Sequence, residues 1–302
     1  MPELPEVETI RRELQQVISN KVITEVWANA PRMLNLSANK LKAALQGQKV
    51  LAVERRGKLL IWRLSGGQFL LTHLKMTGQL VYRNKAGRTI SGGHPINPQL
   101  AVKLELKGDK PVAVSNLPNK FTHLIFTFKD GSRIFFNDIR KFGYAHLVSQ
   151  AQLTKILAEK YGIEPLQPNF TLANFTKVLA NYPKAKIKQL LLDQVKISGI
   201  GNIYADESCW CAKILPSRPV GKIKPAEIKK LYQCINKILK LAISKGGTSA
   251  DTYVKLDGQP GGFVPYLKVY GRGKEKCKNC GRPITKIFQN GRGTHFCQNC
   301  QK

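Results

Sequence analysis

Residues 277–300 read CKNCGRPITKIFQNGRGTHFCQNC. Two Cys-x2-Cys pairs, Cys277/Cys280 and Cys297/Cys300, stand 16 residues apart, a spacing that offers four thiolates to one tetrahedral ion. Four thiolates leave no open coordination position, so one structural zinc ion is expected, and it does no chemistry. Asn279, Gly281 and Asn299 supply the turns that each knuckle of a zinc ribbon needs. The other three of the seven cysteines, Cys209, Cys211 and Cys234, are scattered. An odd total with no export signal argues against a disulfide framework. The Cys209-Trp210-Cys211 cluster therefore reads as core thiols, with redox sensing the sharper alternative.

Working outward from this element, the charge is lopsided. From Gly271 onward there are eight basic residues against one acid, Glu275, and a small basic zinc hairpin of that kind suits phosphate backbone. The whole chain of 302 residues repeats the bias: Lys+Arg 49, Asp+Glu 19, net charge +30. Nucleic acid is the partner that such a charge fits best, an anionic membrane surface the second. No apolar run approaches the roughly 18 residues of a transmembrane helix. The opening MPELPEVETI is acidic and proline-bearing, unlike a secretory signal, which points to a cytoplasmic chain.

Residues 5–18 carry Val7, Ile10, Leu14, Val17 and Ile18 at helical spacing, with Pro5 in the first turn. Between 22 and 149 the pattern changes to short β-branched and aromatic runs: VITEVW, VLAVERR, KLLIWRL, FLLTHLKM, LAVKLEL, THLIFTF and SRIFFND. Asp130-Gly131 marks a hairpin, and the set predicts an antiparallel sandwich or barrel. The stretch 84–99 breaks every periodicity and reads as a long surface loop. Helical spacing returns at 151–160, 171–181, 184–195, 202–212 and 225–245, with EPLQPN (164–169) as a linker. The expected organisation is α+β and multidomain: a β domain over 1–150, a helical domain over 151–270 and a zinc element over 271–302.

Four of the 19 acids, Glu3, Glu6, Glu8 and Glu13, fall within the first 13 residues. Glu6 and Glu8 complement the positive end of the first helix, which leaves Glu3 beside Pro2 without that explanation. Removal of Met1 would expose Pro2 as a secondary amine with a pKa near 8, partly neutral and nucleophilic at physiological pH. Such an amine attacks a sugar C1′ to form an iminium ion, and Glu3 can serve as general acid on the ring oxygen.

The start MPELPEVETIRREL resembles the bacterial formamidopyrimidine-DNA glycosylase family, and the similarity recurs along the chain. VERRGKLLIW, THLKMTGQL, NDIRKFGYA, LLLDQVKISGIGNIYADE and GRGTHFCQNCQK match its further motifs in order. The resemblance implies an N-terminal β-sandwich, a helix-two-turn-helix domain and a zinc-ribbon hairpin. It implies a bifunctional glycosylase and lyase acting on double-stranded DNA that contains oxidised bases. Pro2 would be the nucleophile, Glu3 the proton donor, Glu6 a positioning acid, Lys58 a phosphate contact that assists elimination, and Arg292 a phosphate clamp. Met76, Arg140 and Phe142 resemble the triad that fills the void left by an extruded base. By pattern alone Met76 and Phe142 would be core residues. Asn202, Lys184, Lys188 and His123 match DNA-contacting positions, although His123 lies in a strand and could equally be packed inside.

Leu4 and GGTSADTYVKLDGQPGGF followed by VYGR resemble the oxidised-purine branch, which implies excision of 8-oxoguanine and formamidopyrimidines. The rivals are an oxidised-pyrimidine glycosylase of the endonuclease VIII branch and a non-catalytic DNA-damage binder. Residues 84–120 are longer than the family's usual connection. A monomer is expected.

Overall fold

The computed structural model describes residues 1–87, 89–93, 117–249 and 261–302; the expected strand LAVKLEL and most of the GGTSADTYVKLDGQPGGF stretch lie outside them. The described chain divides into two units, residues 1–155 with 246–262, and residues 156–245 with 263–302.

The first unit opens with α1 (Leu4–Ile18), which buries Val7, Ile10, Leu14 and Ile18 along one stripe. Among the described residues nine strands follow: β1 (Ile23–Ala28), β2 (Val50–Arg56), β3 (Leu59–Leu64), β4 (Phe69–His73), β5 (Gly78–Arg83), β6 (Thr89–Gly93), β7 (Thr122–Phe128), β8 (Arg133–Asp138) and β9 (Tyr144–Val148). They form two sheets, ordered β1-β7-β8-β5-β6 and β2-β3-β4-β9, in which every pairing is antiparallel. One apolar core joins them, with Trp62 of β3 against Phe126 of β7 at 5.4 Å between ring centres. Of the two expected β architectures, this is the sandwich.

Four elements escaped the sequence pattern, the short β9 among them. The helix α2 (Ala38–Leu45) sits inside the segment read as all β; Ser37 caps it by accepting from the Lys40 N–H, and Leu41 and Leu45 are buried one turn apart. β5 is buried on both faces, so it shows no alternation. β6 corrects the loop reading of 84–99: Thr89–Gly93 is a strand, held by its ladder with β5 where its two glycines give it little propensity.

The helix α3 (Gln150–Lys160) is divided between the units at Lys155; the second unit goes on with α4 (Leu172–Ala180), α5 (Ile187–Leu192), α6 (Asn202–Ala212) and α7 (Pro225–Ser244), and ends in the hairpin β10 (Thr285–Gln289)–β11 (Arg292–Phe296). α5 is shorter than the expected 184–195, because the N–H groups of Ile187 and Lys188 bond the carbonyls of Arg218 and Pro216. Glu164, placed in a linker by its sequence, is fully buried within this unit. Residues Ile203–Cys209 of α6 are all buried, which makes it the central helix.

Cys211 is not a core thiol: it forms a disulfide with Cys234, tying α6 to α7 across a Cα separation of 5.8 Å. Cys209 is the buried thiol expected, and burial pushes its pKa up.

Glu8 finds partners beyond the helix end. It accepts from Arg11 at 2.9 Å, Arg12 at 2.8 Å and Arg55 of β2 at 3.0 Å. Burial works to raise this carboxyl, but the three guanidinium hydrogen bonds outweigh it and hold the pKa at about 2 against an ordinary 4.5. A depressed carboxyl contributes stability above its unfolded pKa and loses it as pH falls through the folded value. Glu8→Gln is therefore expected to be less stable near neutrality and to lose less stability between those two values. Thermal melts against pH would show it; an acid limb as steep as in the wild type refutes it.

Candidate active site and metal centre

Pro2 is buried, and Glu3 and Glu6 are 3% and 1% exposed. The Glu3 N–H donates to Glu6 Oε2 at 2.8 Å, and the Thr248 N–H donates to Glu6 Oε1 at 2.7 Å. A Cβ on Gly247, whose φ is +84°, would stand 2.8 Å from Glu6 Oε1, so the backbone can reach this carboxylate only as glycine. Nothing in the sequence pattern points to this contact, since 242 residues separate Glu6 from Thr248.

α1 packs against β2 and β3, the two strands whose turn carries Gly57 and Lys58. Lys58 is 5% exposed. Arg55 donates to the Gly57 carbonyl at 2.9 Å while it pairs with Glu8, which braces that turn on α1. Beneath lies His73, whose pKa is driven to about 3 first by burial and then by the charges of Lys75 and Lys58. It is a neutral imidazole whose Nδ1 accepts from the Lys75 N–H at 2.9 Å.

Met76, Arg140 and Phe142 are all exposed at two neighbouring turns, the last two after β8, and none is a core residue. The Arg140 guanidinium lies 4.6 Å from the Phe142 ring centre, and its Nη1 is 3.6 Å from Met76 Sδ. What joins the turns is Asp138, 1% exposed: Oδ1 accepts from Thr77 Oγ1 and, at 3.1 Å, from the Arg140 N–H, while Oδ2 accepts from the Gly143 N–H at 2.7 Å. Gly143 admits no side chain, because a Cβ would lie 2.8 Å from Phe136 Cζ and 3.0 Å from Asp138 Oδ2. Both residues stand in the NDIRKFGYA motif, but their bracing role has no sequence signature.

His123 is packed inside, 2% exposed, with Nε2 at 2.9 Å from the Asp138 carbonyl and Nδ1 at 3.0 Å from the Asn29 side chain. Burial lowers its pKa, and its two ring nitrogens face two oxygens, the Asp138 carbonyl and Asn29 Oδ1. It supports the Arg140 turn from below.

In the second unit Asn202 opens α6 behind the tight turn of Gly199, φ +93°, and its Nδ2 donates to the Gly293 carbonyl of β11 at 2.9 Å. Lys184 and Arg292 are exposed. Lys188 is 1% exposed and bonded within the fold, so it is unavailable to a partner, contrary to its expected contact with DNA.

The sulfurs of Cys277, Cys280, Cys297 and Cys300 lie within 4.8 Å of one another, with Cys277–Cys300 at 3.9 Å and Cys280–Cys297 at 3.5 Å. Four sulfurs tetrahedrally disposed at the Zn–S distance of ~2.3 Å would stand about 3.8 Å apart. The geometry fits zinc.

Three family models match in succession: Formamidopyrimidine-DNA glycosylase N-terminal domain over residues 1–145, Formamidopyrimidine-DNA glycosylase H2TH domain over 161–254, and Zinc finger found in FPG and IleRS over 274–302. The Formamidopyrimidine-DNA glycosylase of Enterococcus faecalis is 39% identical over 306 residues, covering 100% of this chain and 98% of the relative. The chain belongs to the formamidopyrimidine-DNA glycosylase family. A Lactococcus lactis FPG mutant in complex with Fapy-dG containing DNA superposes on this glycosylase with a TM-score of 0.84 at 36% identity, covering 100% of both chains. The Lactococcus lactis Fpg complex with an abasic site containing DNA gives 0.84 at 36% identity over 99% of each. The four thiolates hold one structural zinc ion. Among the described residues no helix is long and apolar enough to cross a membrane.

Proposed function

We propose that this chain excises 8-oxoguanine and formamidopyrimidines from double-stranded DNA through a Pro2 Schiff base, then nicks the strand by β,δ-elimination. That it is a DNA glycosylase of base excision repair follows from its family. The observation that supports this chemistry best is the burial of two carboxylates, Glu3 and Glu6, beside Pro2 in a chain of net charge +30.

In this reading Pro2, freed by loss of Met1, attacks C1′ as the base departs, and Glu3 protonates the sugar oxygen, opening the ring to an iminium ion. Glu6 spends its oxygens on two backbone N–H groups and so orients Glu3. Lys58 contacts phosphate and assists elimination. Met76, Arg140 and Phe142 fill the space that the extruded base leaves, with the Arg140 fork also suited to the orphaned cytosine. Lys184, Asn202 and Arg292 take phosphates, and His123 acts from beneath Arg140. The zinc ion supplies only rigidity. The reading includes a catalytic domain over 1–150, a DNA-binding domain over 151–270, a zinc finger over 271–302, a monomeric state and a cytoplasmic location on the nucleoid.

The purine preference rests on Leu4 and on the stretch after Gly246-Gly247. Single-turnover excision from duplexes carrying 8-oxoguanine or thymine glycol, each opposite a defined base, tests it. The expected result is faster release of 8-oxoguanine opposite cytosine by tenfold or more; faster release of thymine glycol would assign the chain to the pyrimidine-preferring branch.

A further inference from the structure

We propose that Asp206 is a positioning residue for Arg292, acting through a buried charge network that fixes the backbone on which Arg292 is mounted. For its catalytic consequence this rests on the reading of Arg292 as a phosphate contact.

Asp206 lies one turn after Asn202 on α6 and is 0% exposed; Lys188 on α5 is 1% exposed. Lys188 Nζ stands 2.7 Å from Asp206 Oδ1. The same ammonium donates to the Gly293 carbonyl at 2.9 Å and to Thr294 Oγ1 at 2.9 Å. Two of the three N–H donors of the lysine are thus spent on β11, and its charge faces the Asp206 carboxylate. Thr294 Oγ1 passes the chain on by donating to the Arg292 carbonyl at 3.3 Å. On the other side, Asp206 Oδ2 accepts the His295 N–H at 2.9 Å. The Gly293 carbonyl also receives the Asn202 amide at 2.9 Å. The residues from 292 to 295 are thus each held by a group on α5 or α6, or by a neighbour so held.

The need for these bonds follows from the hairpin's construction. Among the described residues β11 has one partner strand, β10, and a two-stranded ribbon is marginal by itself. Its second edge presents Gly293 C=O and His295 N–H, which are met by a lysine and a carboxylate where a third strand would otherwise stand. Arg292 is exposed beside a turn in which Asn290 and Gly291 both take positive φ, 51° and 70°. Without the edge bonds that turn is free to splay, and its guanidinium with it. A buried ion pair is a poor source of net stability, since apolar residues of similar volume often serve as well. What it supplies at this place is geometry.

The test uses the zinc-loaded, DNA-free protein first. Asp206→Asn keeps the shape and can still accept from His295, but no longer balances the Lys188 charge. Amide hydrogen exchange over residues 291–295 is expected to quicken at least tenfold, with zinc retained at one per chain. Because a lone buried ammonium can unfold the unit, the double variant Asp206→Leu/Lys188→Met is measured alongside. It is expected to melt close to the wild type while its tip exchanges as fast as in Asp206→Asn. The second arm is a double-mutant cycle in excision kinetics: Arg292→Ala should cost a much smaller factor in the Asp206→Asn background than in the wild type. Unchanged exchange at 291–295 in both variants overturns the proposal, as does an Arg292→Ala factor equal in the two backgrounds. If Arg292→Ala is silent in the wild type, the phosphate reading of Arg292 fails, and the exchange arm still decides whether Asp206 holds the tip.

Discussion

Pro2→Gly is expected to leave at most a trace of covalent adduct when borohydride is added to a duplex carrying one 8-oxoguanine opposite cytosine, where the wild type is trapped. The processed wild type, with loss of Met1 verified by mass, presents a secondary amine that is partly neutral at pH 7 and goes directly to an iminium ion. Glycine substitutes a primary amine on a more flexible residue, so both nucleophilicity and seating against the buried acids fall. Glu3→Gln tests the partner role, and loss of a positioned general acid should lower kcat by about 10²–10⁴. Glu6 receives two backbone donors and is expected to matter through Glu3 orientation, so Glu6→Gln should cost less. An adduct undiminished in Pro2→Gly moves the nucleophile elsewhere, with Lys58 next in line. Tight binding by the wild type with neither adduct nor nicking would leave a damage binder in place of an enzyme.

Zinc removal comes second in size. The apolar cluster of the zinc element consists of Val269, Cys277, Ile284 and Cys297, with Trp210, Cys280 and Cys300 packed partly against it. Four of those seven are the ligands themselves, so a demetallated hairpin has almost no core of its own. Structural zinc sites of this kind contribute about 10–16 kcal/mol at neutral pH, more than a small domain's whole stability. A strong chelator is therefore expected to release one zinc per chain, abolish amide protection across Thr285–Phe296 and remove most affinity for duplex DNA. The β-sandwich has a separate core built around Trp62, Phe126 and Phe136, and its far-UV signal should persist. Cys297→Ser should behave in the same way. Retained protection in the hairpin after complete loss of metal would show that its fold does not depend on zinc.

Much of the candidate site was legible because its chemistry is local. The cysteine spacing carries the zinc geometry, and the PELPE start places a potential amine beside acids within five residues. The helical stripe of α1 and the Asp130-Gly131 hairpin followed from period and turn chemistry alone. Elements were lost where that local signal is silent. β5 is buried on both faces, β6 owes its state to a neighbour, and α2 is eight residues long inside a β-rich region. The resemblance alone marks Lys188 and His123 as DNA contacts, His123 with packing inside as the alternative; each is buried, Lys188 against β11 and His123 against the Asp138 carbonyl.

By itself, then, the sequence determined the metal and the nucleophile candidate, each written in residue types a few positions apart, and, through its resemblance to a family, the reaction class and the order of the parts. Only the tertiary structure decided which charged and polar groups are spent inside the fold and which are presented outward. Lys188 turned inward to Asp206, Cys211 paired with Cys234, and Thr248 reached back to Glu6, while Met76 and Phe142 stayed in the open. The reason is physical: whether a polar or apolar side chain is buried depends on the free-energy balance with partners brought together by the fold, and sequence spacing holds no record of those distances.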